Sequence, residues 1–371
     1  MRRLRMGMIG GGPGAFIGPV HRFAAEMDRE IELVAGVFSS DPVRSHAAGA
    51  SYRIDPARAY PSLEALLAGE AARDDGIDFV AIVTPNHNHL LSARAALAAG
   101  LPVITDKPIT ATLAEAHELA GIVAAAGLPF GVTYTYSGYP LAREARARIA
   151  AGEIGTVRKV VVEYPQGWLA GEAVGKQAEW RVDPARAGLG GCIGDIGVHA
   201  FHLAEFVTGL RVTELLADLG AVVPGRLLDD DCSILLRFDN GARGVLLASQ
   251  IEVGELNGLR IRAYGDTGGM VWKQEAPNAL AIHRLDGRTE IVHAGGSQIG
   301  PDAASRTRTP AGHPEGYLEA FANLYRDFAA LLRGEAAPLL PGIADGVRGM
   351  NFIATAVAAS RDRAGWVTLE A

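Results

Sequence analysis

The chain has 371 residues, enough for two domains with a core each. Hydrophobic residues make up 49% and charged residues 21%, a globular balance, and the formal charge of −7 leaves no basic footprint for nucleic acid. Two cysteines, Cys192 and Cys232, lie far apart, which points away from a disulfide framework or structural zinc and fits a reducing, cytoplasmic setting.

The basic start, Met1-Arg2-Arg3-Leu4-Arg5, runs into Gly10-Gly11-Gly12 with no apolar core of an export signal. Residues 4–9 read instead as a first strand. No apolar run is long enough to suggest a membrane span. After the glycine turn a helix starts near Gly18, and residues 31–38 form a second strand. Asp41-Pro42 supplies an N-cap with proline at the first helical position. Residues 79–83 are a strand ended by Thr84-Pro85-Asn86, and 87–99 a helix closed by Gly100. Residues 102–105 are a short buried strand running into Asp106-Lys107-Pro108. Thr112-Leu113-Ala114-Glu115 is a capping box for a helix ending near Gly127, and 129–133 is a last strand. This alternation predicts a doubly wound, mostly parallel α/β sheet over residues 1–133.

Beyond residue 133 the rhythm changes, and 134–371 is expected to form a second domain for substrate binding and oligomerisation. Residues 141–151 are a helix stopped by Gly152, 156–164 a strand, and 190–208 a helix stopped by Gly209. Seven strands then follow without helices between them, and Asn240-Gly241 marks a hairpin. An open, largely antiparallel sheet with helices on one face is expected, followed by helices over 315–333 and 342–360. Strands such as 232–238 and 244–250 carry apolar residues on both faces, which marks the uncovered face as a partner surface.

Gly10-Gly11-Gly12-Pro13-Gly14-Ala15 fits G-x-G-x-x-A between a strand and a helix. The first glycine makes the turn, the second admits a pyrophosphate to the backbone, and the small third residue lets helix and strand pack. Gly10, Gly12, Pro13, Gly14, Ala15, Phe16 and Ile17 form the expected dinucleotide cradle. At the end of the second strand, where an acid often holds the ribose, stand Ser39 and Ser40. Arg44 lies close behind, placed to meet a 2′-phosphate or simply solvated, so NAD and NADP both stay open, with NAD slightly preferred.

Asp195 and His199 are four apart on an expected helix and share a face. Each also has a bland reading, the aspartate as a helix-start charge and the histidine as a satisfied core residue. Alcohol oxidation needs a hydride acceptor and a base, and histidine titrates in the right range for the second task. His202 adds a His-x-x-His spacing, but hydride chemistry needs no metal and none is expected. Tyr134, Tyr136, Tyr139 and Trp168 suit sugars as aromatic faces with polar tips, and equally suit an ordinary core. His313, just before a helix start, is a further substrate candidate.

Taken together, residues 8–21, Thr84-Pro85-Asn86-His87-Asn88-His89, Thr105-Asp106-Lys107-Pro108, Trp180-Arg181 with Asp183-Pro184, and residues 190–202 resemble the Gfo/Idh/MocA oxidoreductase family. Asp106 stands where that family usually has glutamate. The resemblance implies a Rossmann domain followed by an α/β domain with an open sheet, and a cis Lys107-Pro108 peptide. It implies Lys107, Asp195 and His199 as catalytic residues. Thr84, Pro85, Asn86, His89, Asp106, Lys107 and Pro108 are implied on the cofactor side, and Trp180 and Arg181 as cofactor or substrate contacts. The expected activity is NAD(P)-dependent oxidation of a secondary alcohol of a sugar, glycoside or cyclic polyol. Lys107, Tyr136, Trp168, Asp195, His199 and His313 would face that substrate, in a homodimer or homotetramer. The alternative is a non-catalytic dinucleotide- and sugar-sensing regulator on the same scaffold.

Overall fold

A computed structural model of the chain describes residues 2–172 and 174–370. Two compact units emerge. The first runs to Thr133 and also takes in Phe321–Val347, and the second holds Tyr134–Ala320 and the residues from Arg348 onward. The reading from sequence gave everything beyond residue 133 to one domain, so Phe321–Val347 is a difference. Its cause is packing. In the helix Tyr317–Leu332, Phe328 meets Phe79 edge-on with ring centroids 5.2 Å apart. The hydroxyl of Tyr325 sits 2.7 Å from Nδ1 of buried His21. An amphipathic helix states that it has a core face, not which core it joins.

In the first unit the strands are β1 (Leu4–Gly10), β2 (Ile31–Val37), β3 (Phe79–Val83), β4 (Val103–Thr105) and β5 (Phe130–Val132). They form a parallel sheet in the order β2-β1-β3-β4-β5. Every residue of β3 is buried, as a strand covered on both faces requires. The expected caps are present. Asp41 accepts the Arg44 amide ahead of the helix Pro42–Ser51. Thr112 and Glu115 close a capping box on the helix Leu113–Ala126, which Gly127 ends at φ 63°. The strand order reverses between β1 and β3, the switch point where ligands bind at the carboxyl ends of such sheets.

The described residues of the second unit form a nine-stranded sheet. Its strands are β6 (Val157–Pro165), β7 (Val212–Gly220), β8 (Asp231–Phe238), β9 (Arg243–Ser249), β10 (Arg260–Gly265), β11 (Gly268–Lys273), β12 (Ala279–Arg284), β13 (Thr289–His293) and β14 (Val367–Thr368). The order is β13-β12-β11-β10-β6-β9-β8-β7-β14, antiparallel except for the β6–β9 pair. The Asn240-Gly241 hairpin is a three-residue loop. The Gly241 amide bonds the Phe238 carbonyl, Gly241 takes φ 86°, and the Phe238 amide returns to the Ala242 carbonyl. Helices Pro140–Ala150 and Val198–Thr208 pack against the sheet. A buried ion pair, Arg348 Nη2 to Glu205 Oε1 at 2.8 Å, anchors the second of these to the helix Ile343–Arg361. Cys192 and Cys232 are both free and buried, and burial, with the neighbouring Cys232 thiol adding to it, raises the Cys192 thiol pKa.

Candidate active site

The glycine turn follows β1 and leads into the helix Ile17–Met27. Gly10, Gly11 and Gly14 have φ of 99°, 78° and 75°, which L side chains resist. A Cβ on Gly12 would lie 2.3 Å from the Phe38 carbonyl oxygen, and one on Gly18 2.4 Å from the Gly11 Cα. The turn therefore exists only with glycine at these points, and buried Tyr52 steadies it by donating to the Gly11 carbonyl at 2.6 Å. Phe16, at the cap position of the helix, brings no polar side chain to the helix start, where the backbone dipole favours an anion. This cradle fits a dinucleotide pyrophosphate.

At the end of β2, the Ser39 hydroxyl accepts the Asp41 amide at 3.2 Å, while Ser40 and Arg44 are exposed. At the end of β3, Thr84, Pro85 and buried Asn86 lead to His89. His89 is buried, with Nδ1 2.8 Å from the Pro108 carbonyl and Nε2 2.8 Å from the Thr84 carbonyl. It thus ties the end of β3 to the segment after β4. Burial pushes its pKa down against those two carbonyls. Asp106 accepts the Lys107 amide at 2.9 Å and the Thr133 hydroxyl at 3.0 Å, and the Lys107-Pro108 peptide is cis. Lys107 is thereby held at the carboxyl end of β4 by its own backbone.

In the second unit, residues 190–208 do not form one regular α-helix as expected. A π-turn over Ile193–Gly197 precedes the α-helix Val198–Thr208. The cause is Asp229, whose carboxylate accepts the amides of Gly191 and Ile193 at 2.7 Å each. Spacing on a regular helix therefore misdescribes the turn that carries Asp195, and such turns are frequent at functional sites. Asp195 Oδ2 accepts from Arg181 Nε at 3.0 Å and from Gln250 Nε2 at 2.9 Å. The Arg181 guanidinium lies over the Trp180 ring at 4.4 Å and the Trp168 ring at 5.8 Å.

His199 is 8% exposed and is edged by Tyr136 at 4.8 Å and Tyr134 at 6.0 Å, with Tyr164 tilted at 6.4 Å. Burial pushes the Tyr136 phenol up to about 12. His202 stacks on Tyr134 at 4.1 Å. His313 is exposed, with Nδ1 3.2 Å from the Pro310 carbonyl. The structure thus groups Tyr136 with His199, and Asp195 with Arg181 and through it Trp168 and Trp180. Tyr164, Gln166, Gln250 and Asn257 also join this cluster and were not read from the sequence. They arrive from strand ends and loops, and no spacing relates them to Asp195 or His199.

Residues 142–271 match the GFO/IDH/MocA C-terminal domain, and residues 4–134 match the oxidoreductase family with an NAD-binding Rossmann fold. The crystal structure of an inositol dehydrogenase homologue from Azotobacter vinelandii, complexed with NAD+, is 37% identical, with a TM-score of 0.95 over 99% of this chain and 97% of that one. The same homologue complexed with NADH and myo-inositol matches at 36% identity and a TM-score of 0.92, over 99% and 98% of the two chains. Levoglucosan dehydrogenase of Pseudarthrobacter phenanthrenivorans is 27% identical, over 76% of each chain. Matches to both halves of the chain, and a relative alike along nearly its whole length, agree with the glycine cradle and the open sheet: the chain belongs to the GFO/IDH/MocA family of NAD-binding oxidoreductases.

Proposed function

We propose that the protein is an NAD-dependent dehydrogenase of a secondary alcohol carried by a sugar, glycoside or cyclic polyol. The observation that carries this reading is His199, a buried imidazole bordered by tyrosine rings, with Asp195, four positions before it in the chain, held by Arg181 and Gln250. An alcohol needs a group to take its proton and acceptors to orient its neighbouring hydroxyls. His199 takes the hydroxyl proton. Lys107 donates a hydrogen bond to the same oxygen and stabilises the negative charge that develops there. Asp195, fixed by two donors, orients the substrate. The dinucleotide, held by the turn from Gly10 to Ile17, supplies the hydride acceptor when bound. NAD is favoured over NADP by the relative that carries NAD+ and NADH. The substrate class is supported by relatives whose names or ligands include myo-inositol and levoglucosan. Assembly through the open face of the nine-stranded sheet, as a homodimer or homotetramer, belongs to the same proposal.

The test is the rise of reduced-nicotinamide absorbance on mixing the protein with NAD+ or NADP+ and a panel of polyols and sugars. His199→Ala should lower kcat by roughly 10²–10⁴-fold and Lys107→Ala by roughly 10²–10³-fold. Near-normal turnover in both variants would remove these roles. Silence across the panel, with dinucleotide still bound, would favour the sensor reading.

A further inference from the structure

Five side chains, of which Tyr136 and Tyr164 set their rings against His199, form a hydrogen-bonded chain that can run in only one direction. It starts at Trp168, whose indole Nε1 lies 2.8 Å from Gln166 Oε1. An indole N–H is a donor and never an acceptor, so the Gln166 amide must present its oxygen to Trp168. Gln166 Nε2 then points to Asn257 Oδ1, at 2.8 Å. That fixes the Asn257 amide in turn. Its oxygen also receives the Tyr164 hydroxyl at 2.7 Å, and its Nδ2 donates to the Tyr136 hydroxyl at 3.3 Å. The Tyr164 proton is committed to Asn257, so the short bond between the two phenols has Tyr136 donating to Tyr164. Tyr136, Tyr164 and Asn257 thus close a ring in which each donates to the next. Such a ring polarises its members cooperatively and resists reversal.

The consequence falls on Tyr136. Its one proton is spent inside the ring and one lone pair is taken by Asn257. What remains is a single lone pair, on a phenol whose ring lies 4.8 Å from that of His199. We propose that Trp168, Gln166, Asn257 and Tyr164 fix Tyr136 as a hydrogen-bond acceptor only, so that Tyr136 selects substrates offering a hydroxyl donor next to the carbon being oxidised. This rests on the reading of His199 as the base for a polyol. Tyr136 is then a specificity residue and not a source of protons, and the other four are positioning residues. Trp168 is 46% exposed, so the polarity of a buried network is set from its half-exposed end.

Two measurements test this. The first is kinetic. It compares the panel polyol turned over fastest with its monodeoxy analogues, in the wild type, Tyr136→Phe and Trp168→Phe. Wild type should disfavour one deoxy analogue by about tenfold or more in kcat/KM, the size of one good hydrogen bond. Tyr136→Phe should abolish that preference through a higher KM. Trp168→Phe, which keeps a ring over Arg181 but removes the N–H, should shrink it. A fall in kcat at unchanged KM in Tyr136→Phe would make Tyr136 a proton-transfer group and overturn the proposal. So would a wild-type preference in Trp168→Phe. The second measurement is a neutron structure of the protein exchanged into D₂O, which needs no turnover. The Tyr136 deuteron should lie on the line to Tyr164, and a deuteron aimed elsewhere overturns the proposal even if every variant misfolds. If no polyol is turned over, the dehydrogenase reading fails on its own account, and the neutron map still decides the direction of the chain.

Discussion

His21, in the helix Ile17–Met27, is an imidazole with no access to water. Its ring lies edge-on to Phe321 at 5.0 Å, and Nδ1 meets the Tyr325 hydroxyl at 2.7 Å. Burial pushes its pKa down to about 4, and the Asp106 charge only partly opposes this. The folded protein therefore keeps His21 neutral through a range where the unfolded chain, titrating at 6.5, already carries the proton. The unfolded state binds more protons between those values, so stability is fully present above pH 6.5 and is lost as pH falls toward 4. The difference corresponds to about 3 kcal/mol. Urea unfolding followed from pH 7 to pH 4 should show that loss, and His21→Gln should remove most of it. His89, also pushed down by burial, leaves a residual slope in both proteins. Identical slopes would mean that His21 is not the group responsible.

The π-turn Ile193–Gly197 owes its shape to a single carboxylate. Asp229 is pushed up to about 6 by burial, although the Gly191 and Ile193 amides pull the other way by favouring the charged form. Replacing it by asparagine keeps the volume but turns one acceptor oxygen into a donor facing an N–H. At pH 7.5, Asp229→Asn should cost about 1–3 kcal/mol, the usual penalty for stranding a buried donor. It should also slow turnover, because Asp195 and His199 ride on the displaced turn. Below about pH 6 the folded wild type takes up a proton at Asp229 that the unfolded chain, titrating at 3.8, does not, so wild type gains stability as pH falls and the gap between the two proteins should widen in melts at pH 5. A gap independent of pH would show that burial does not raise the Asp229 carboxyl in the folded protein. The same element shows where a sequence stops being legible. The capping box at Thr112, the Asp41 cap and the Asn240-Gly241 hairpin were readable because each signal and its effect lie within a few residues. The π-turn was not, since Asp229 arrives 36 positions after Ile193. Gln250 reaches Asp195 across 55 positions, and Asn257 reaches Tyr136 across 121. The motif residues Lys107, Asp195 and His199 stood out by type and setting. Their amide-bearing neighbours have no local signature, because what places them is sheet register.

Register also shapes the behaviour of the whole molecule. Across the nine-stranded sheet the pairings Leu216↔Leu235, Leu235↔Val245, Val161↔Val245, Arg262↔Val161, Arg262↔Val271, Val271↔Ala281 and Ala281↔Ile291 align one transverse row. Their neighbours along each strand, among them Ile234, Leu246, Val160, Val162 and Ile261, point the other way and are buried. The row itself is not covered: Leu235 and Ile291 are each 44% exposed. Its one charged member, Arg262, is already paired with Glu163 at 2.7 Å. A lone chain rarely leaves so continuous an apolar stripe in water, and each large side chain covered by a partner contributes about 1.5–3 kcal/mol. Light scattering should therefore report a dimer or tetramer at micromolar concentration. Leu235→Lys combined with Val245→Lys places two like charges on adjacent strands in the middle of the row, and should yield a monomer with unchanged far-ultraviolet circular dichroism. Ile234→Lys, one residue away but facing the helices, should unfold the second unit instead, because its charge has no water to reach. A wild-type monomer would remove the assembly proposal. Unfolding by both sets of variants would show that the row is covered within a single chain, and only the split outcome assigns the open face to a second copy.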